Sequence, residues 1–455
     1  MGDDAAAARL FDRFIDEREE ETTFLHFLFN NVIGIPIDPV ESPIDESKDY
    51  ASIVHETRFT SDFSGRFQVT AGIFYQRVKT KLRYFPPALA PGMNDAVNEA
   101  AGAQLDIVPG DLIFTRFDRF NTEEYAAFGE LTFDITDRIS ITAGGRVYET
   151  KTDTFTEADG FANDGPSRVP EDPTQDFVKQ SENGFNPKVL LQVNINEDLD
   201  VYASATKGFR IGGSNGNLPL GLCGDELEAL NINPADVRTY DSDKLWSYEA
   251  GLKSSLADNL VSLNVAGYLI KWDEIAQQNR LACGFQFIDN AGSAEVKGFE
   301  VELSAAPVDG LTVTAALGYA HAEITDTGGI QGVNVGDKIQ GVPNWTGTLS
   351  AQYLFPVARA MDGFLRADYN YYGRSFSANN EASAQSQRLR PSWNALNLRA
   401  GVIRDTWELA VFADNVTNTH ANLADSRSIA AETPGRPRLI TNRPRTIGLD
   451  VRKRF

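Results

Sequence analysis

The chain has 455 residues, of which 42 are basic and 64 acidic, for a formal charge of −22 at neutral pH. That charge excludes a partner held through phosphate contacts, so nucleic acid is ruled out. Hydrophobic residues make up 42% and aromatics 10%, enough apolar mass to exclude wholesale disorder, while two cysteines exclude a disulfide scaffold or a multi-cysteine zinc site.

Residues 1–49 form an acidic leader, read as partly helical or disordered, with Leu10, Phe11 and Phe14 on one face of a short helix. Acids stand where a signal peptide needs positive charge, and by itself this segment says cytoplasmic. No stretch in the chain approaches 18 apolar residues, which excludes a membrane-spanning helix but not insertion by strands. His26, His55, His321 and His420 are far apart and show no metal-ligand spacing, so neither a metal nor a cofactor is expected.

From about residue 50 the dominant period is two. In LVSLNVAGYLI (260–270), Val261, Leu263, Val265, Gly267 and Leu269 fall on one side and Ser262, Asn264, Ala266 and Tyr268 on the other. That alternation is a strand with one apolar and one mixed face. The last segment repeats it, with Ile447, Leu449, Val451 and Phe455 against Thr446, Gly448, Asp450, Arg452 and Arg454. About fifteen such segments follow one another, roughly 52–62, 65–80, 117–134, 138–153, 179–194, 199–208, 245–254, 259–273, 286–305, 310–324, 344–355, 362–376, 391–403, 406–414 and 443–455. Their connections alternate strictly between short and long. Short turns at one end and long loops at the other are the pattern of an outer-membrane barrel, in which every backbone amide is paired. A soluble propeller or sandwich is the competing architecture, but the repeat of about 40–50 residues that a propeller needs is absent.

Five stretches resemble the C-terminal barrel of TonB-dependent outer-membrane receptors. They are YAAFGELTFDITDRISITAGGRVYETK (125–151), ATKGFRIGGSNG (205–216), LWSYEAGLKSSLADNLVSLNVAGYLIKWDEI (245–275), VKGFEVELSAAP (296–307), and WELAVFADNVTN (407–418) with the closing RPRTIGLDVRKRF (443–455). The resemblance covers residues 50–455 and implies an all-β, antiparallel transmembrane barrel of about 15–16 long strands in the outer membrane. It also implies that Phe455 is the signal read by the barrel-insertion machinery. Family members open with a signal peptide, a TonB-contacting segment and a plug, followed by 22 strands. None of these opening parts is recognisable here, so the expectation is the C-terminal part of a receptor barrel, with TonB doubtful as a partner. Strand parity agrees, because the first and last of fifteen antiparallel strands run the same way; the segment 22–35 is a candidate sixteenth strand, although Pro36, Pro39 and Pro43 follow it.

No enzyme constellation stands out, and the GGSNGN run (212–217) lacks the following helix of a phosphate loop. What the resemblance implies is uptake of a scarce ligand, above all a ferric siderophore, through loops and upper lumen. The candidate ligand residues are Phe209, Arg210, Trp272, Tyr371, Tyr372, Arg374 and Phe376, because aromatics and arginines suit a planar or anionic ligand. Cys223 and Cys283 fall in long connections flanking one hairpin, on the same oxidising side, and are expected to pair. The alternatives are a passive porin-like channel and a soluble β-rich binding module.

Overall fold

The computed structural model describes residues 46–454, apart from 90–91, 93, 96–97, 100–110, 160–173, 217, 219, 282–284, 329–333, 378–388 and 427–437. Residues 1–45 of the leader, among them the segment 22–35, and Cys283 and Phe455 lie outside the described residues, while the leader's last four residues begin β1. Fifteen strands make one antiparallel sheet in which neighbours in sequence are neighbours in space. They are β1 (Glu46–Thr60), β2 (Phe67–Leu89), β3 (Leu112–Thr136), β4 (Ile139–Asp159), β5 (Thr174–Asn196), β6 (Leu199–Arg210), β7 (Asp243–Leu256) and β8 (Val261–Asp273). Then follow β9 (Ser293–Val308), β10 (Leu311–Asp326), β11 (Trp345–Ala358), β12 (Met361–Tyr372), β13 (Trp393–Arg404), β14 (Trp407–Asp414) and β15 (Thr446–Lys453).

Each of the fifteen segments read from the sequence overlaps one of these strands. Two readings differ in detail. The segment 286–305 is two elements, because 286–290 pairs back onto 276–280 as a loop hairpin before β9 begins. Phe376 leaves the strand read over 362–376 and joins a two-residue ladder with Leu389. No helix among the described residues is long and apolar enough to cross a membrane. An α-helix, α1 (Leu220–Ala229), sits in the β6–β7 connection and was not expected from the sequence.

Register places the side chains. Leu409, Val411 and Ala413 of β14 lie opposite Val451, Leu449 and Ile447 of β15, and Leu449 and Ile447 are more than 70% exposed. The same face continues through Leu398 on β13, Leu365 on β12 and Leu349 on β11. A soluble protein does not display such a continuous apolar band; a lipid-facing barrel wall must. Aromatics border the band above and below. Near the long loops stand Tyr75 with Tyr125 (ring centroids 5.1 Å apart) and the cluster of Phe299, Tyr319 and Trp345 (4.8–5.8 Å). Near the short turns stand Phe67 with Phe133 (4.7 Å) and Trp407, whose ring lies 5.0 Å from the Lys453 amine. These are the two interfacial girdles of an outer-membrane barrel.

The opposite face is polar. Arg399 bonds Asp450 (2.5 Å) and Glu408 (3.0 Å), Lys188 bonds Glu130 (2.9 Å), and the Tyr202 hydroxyl donates to Glu249 (2.6 Å). Adjacent residues of one strand therefore sit in different solvents. We expect Leu349→Arg, on the lipid face, to destabilise the bilayer-folded protein by about 2–4 kcal/mol, and Thr348→Arg, on the lumen face, to cost under about 1 kcal/mol. Denaturant titration in lipid vesicles reads the difference; equal costs would contradict the assignment of faces.

Candidate ligand site at the extracellular mouth

The long connections lie at the end of the sheet opposite the short turns, and two of them pack together. The β6–β7 connection and the hairpin after β8 share a small apolar core of Leu218, Cys223, Leu227, Val237, Leu281 and Phe287. Cys223 is fully buried at its centre and is disulfide-bonded. Asn215 joins the same two segments, its amide donating to the Val237 (2.7 Å) and Ile288 (2.6 Å) carbonyls and its oxygen accepting from the Ile288 N–H (2.7 Å).

Two of the candidate ligand residues, Arg210 and Trp272, meet at this end of the sheet. Arg210 ends β6 opposite Asp243, the first residue of β7. Its guanidinium bonds the Asp243 carboxylate through Nε (2.8 and 3.1 Å) and Nη2, and lies 4.5 Å from the Trp272 ring centre. Asp243 is 1% exposed, whereas the Arg210 side chain is 54% exposed. The arginine thus neutralises a buried anion with one edge and presents its remaining N–H groups to water. Trp272 packs against the Ile275, Ala294 and Ile324 cluster, and its buried indole Nε1–H has no hydrogen-bond partner among the described residues. Phe209, the neighbour of Arg210, stacks on Tyr148 with ring centroids 3.8 Å apart.

Small residues allow the loop to close on the wall. A Cβ at Gly212 would stand 2.4 Å from both the Glu182 Oε1 and the Tyr240 carbonyl oxygen, and one at Gly216 would enter the Arg116 guanidinium. Across this contact Glu182 accepts the Ser242 N–H (3.0 Å), Gln180 donates to the Tyr240 carbonyl (2.8 Å), and Ser214 bonds Thr154 (2.5 Å). Burial pushes the Tyr240 phenol above its ordinary range, with Arg210 opposing and Asp243 adding to the shift. The glycine-rich run therefore serves close packing of loop on strand.

The remaining candidates form a second group on β12 and beyond. Tyr372 stacks on Trp393 (4.5 Å). Tyr371, one residue earlier, takes the opposite face, which it shares with Tyr369 and Leu365. Arg374 is exposed and, among the described residues, has no ion-pair partner. The Phe376 carbonyl accepts the Gly341 N–H (2.8 Å). Three sheet strands separate this group from Trp272 and five separate it from Arg210. Sequence reading missed Asp243, Glu182 and Tyr148. Asp243 alone left a signal, as an acid opening a strand next to a strand that ends in arginine.

The buried pair makes a stability prediction. Arg210→Ala strands a desolvated carboxylate and is expected to cost about 1–3 kcal/mol, with part recovered in the Arg210→Ala/Asp243→Ala double variant. A double-mutant cycle by denaturant unfolding checks it; simple additivity would show that the pair is not coupled.

The family sequence model described as "TonB dependent receptor-like, beta-barrel" matches residues 15–416. The metal-pseudopaline receptor CntO of Pseudomonas aeruginosa is 22% identical over 269 residues, covering 58% of this chain and 33% of that protein. Among solved structures, the ferric yersiniabactin uptake receptor FyuA of Yersinia pestis superposes with a TM-score of 0.70 at 17% identity, over 90% of this chain and 55% of that one. The ferric-catecholate import receptor Fiu of E. coli K12 gives 0.62 at 16% identity, again over 90% and 55%. The chain thus spans about a third of its curated relative and about half of each solved receptor.

Proposed function

This chain belongs to the TonB-dependent receptor-like β-barrel family of the outer membrane, and on that premise we propose that it is barrel wall and extracellular mouth for energised uptake of a scarce ligand, a ferric siderophore or related metal chelate. The family consists of receptors and transporters rather than enzymes, and relatives that carry a ligand in their names bind metal–pseudopaline, ferric yersiniabactin and ferric catecholates. The observation that carries the reading is the pairing of a water-facing Arg210 edge with the Trp272 ring at the loop end of the sheet. A chelate with carboxylate or catecholate oxygens offers negative charge to the guanidinium and a flat face to aromatic rings. Tyr372 and Trp393 offer a second stacked platform across the mouth. Energy transfer through TonB belongs to the same proposal.

Ferric catecholate, hydroxamate and hydroxycarboxylate complexes, titrated separately against the purified protein in detergent, test it. One class is expected to bind saturably, with Trp272→Ala or Tyr372→Ala weakening it roughly tenfold. Absence of binding by all three classes, together with ohmic conductance in planar bilayers, would favour the porin-like alternative.

We also propose that Cys283 is the partner of Cys223. Cys223 is disulfide-bonded and the chain has one other cysteine. The bridge would fasten the helix-bearing loop to the hairpin beside Arg210 and Trp272. Reduction is expected to raise the intact mass by two hydrogens and to expose two alkylatable thiols; two thiols reactive without reductant would overturn the pairing.

A further inference from the structure

Residues 334–339 of the β10–β11 connection fold back onto the wall as a short strap. Its turn is made at Gly336, whose φ of +93° suits glycine. The Ile324 N–H donates to the Asp337 carbonyl (2.9 Å), the Gly336 N–H to the Ile324 carbonyl (2.8 Å) and the Ile339 N–H to the Ala322 carbonyl (3.3 Å). Lys338 and Glu323 form an antiparallel bridge. The strap thus continues the sheet beside the upper end of β10, above the point where β11 begins at Trp345 opposite Tyr319. Ile339 packs on the Ile275, Ala294 and Ile324 cluster, which also seats Trp272. Lys338, the residue before it, reaches His321 and Glu323 instead.

That contact is built around one ring nitrogen. His321 Nε2 lies 2.9 Å from Glu323 Oε2 and 2.9 Å from Lys338 Nζ, and Lys338 Nζ lies 3.5 Å from the same carboxylate oxygen. None of the three side chains is more than 35% exposed. A ring nitrogen carries either a hydrogen or a lone pair. With the lone pair, Nε2 accepts from the Lys338 ammonium. In the imidazolium it donates to Glu323 and sets a positive ring against the ammonium at contact distance. The surrounding charges offer Lys338 no substitute. On β9, Lys297 lies opposite His321 and Glu295 opposite Glu323, and these two are paired with each other. On β8, Lys271 lies opposite Glu295, and Asp273 accepts from the Ser293 hydroxyl (3.1 Å). At the top of β10, Asp326 accepts the Gly328 N–H (3.0 Å), and on the strap Asp337 accepts the Asn334 N–H (2.7 Å). Among the described residues, Glu323 is therefore the carboxylate for which a protonated His321 and Lys338 compete.

We propose that His321 is a pH-sensitive latch on the strap 334–339, closed through Lys338 when the ring is neutral and released when it is protonated. Histidine is the side chain whose charge ordinarily changes between about pH 5 and 8, so closure belongs to the upper end of that range and release to the lower. Release leaves the strap held by its three backbone bonds and Ile339 alone, and loosens the cover of the cluster under Trp272. The latch stands independently of what the mouth binds; only its effect on a ligand at Trp272 rests on the function proposed above.

Hydrogen exchange of the full chain in lipid vesicles at pH 8 and pH 5, read by mass spectrometry and corrected for the intrinsic rate at each pH, tests the proposal. Amides of the strap are expected to exchange about tenfold faster at pH 5, while the β3–β4 ladder keeps its protection. In His321→Gln the carboxamide gives an oxygen to Lys338 and an N–H to Glu323 at once and does not titrate, so the strap should stay protected at both pH values. Lys338→Met removes the tether and leaves the ring, and its strap should exchange at the fast rate at both. The heat-dependent gel shift of a folded barrel checks each variant, and either one alone supplies the comparison. Equal strap protection at the two pH values in the wild type would overturn the latch. So would a wild-type-sized drop in folded His321→Gln or Lys338→Met, which would assign the pH response to other groups. None of these outcomes bears on ferric chelate binding, which is measured separately.

Discussion

In the hydrocarbon layer no water is present to satisfy a backbone N–H or C=O, so each must find a partner within the protein. That constraint decides most of what is seen here. It demands long antiparallel ladders, and a ladder puts successive side chains on opposite faces. Leu409 and Val411 then meet acyl chains while Glu408, one residue before Leu409, and its partner Arg399 on the adjacent strand meet water. The constraint also bears on the sheet's two outer edges. β1 and β15 run in the same direction, and neither has a second partner among the described residues. An antiparallel wall between them takes an odd number of further strands; a family barrel of 22 would need seven.

Above the membrane the rules change, because water is available and loops are permitted. What holds the mouth in one shape is a set of buried carboxylates, each with its own donors. Asp243 is taken by Arg210 and Asp118 by Arg116 (2.7 Å) and Thr156 (2.7 Å), and both acids are 1% exposed. Buried ion pairs are poor sources of net stability, but an unpaired buried charge is costly, so misplaced loop conformations are penalised. The same geometry that fixes the loops leaves an arginine edge and an indole facing the entry.

The membrane-spanning part of this architecture was legible in the sequence because lipid leaves so little freedom. Period two, turn residues and the alternation of short and long connections gave all fifteen strands, with ends displaced by up to nine residues. Extramembrane detail was less legible. The helix Leu220–Ala229 carries no acidic first turn or basic last turn and has only ten residues, so no amphipathic period separates it from loop. The hairpin 276–290 merged with β9 because both are β-rich and only Ala291–Gly292 intervene. The glycines of 208–216 were seen as permissive backbone at a strand end. Their main use, admitting Glu182, Tyr240 and Arg116 at close range, depends on residues from distant strands and has no local signal. For the same reason Arg210 was recognised but its partner Asp243, 33 positions later, was not.

The alternation that made the strands readable also assigns chemistry to compartments. A residue on β2 cannot serve both lumen and lipid; its parity decides. Gln76, Val78 and Thr80 share the inner face with Glu124 and Thr122, while Arg77, Lys79 and Lys81 are on the outer one. A single-residue slip of register would exchange the two sets, placing cations in the lumen and leaving a neutral outer face. The cations therefore mark the outer register as firmly as the apolar band below them does.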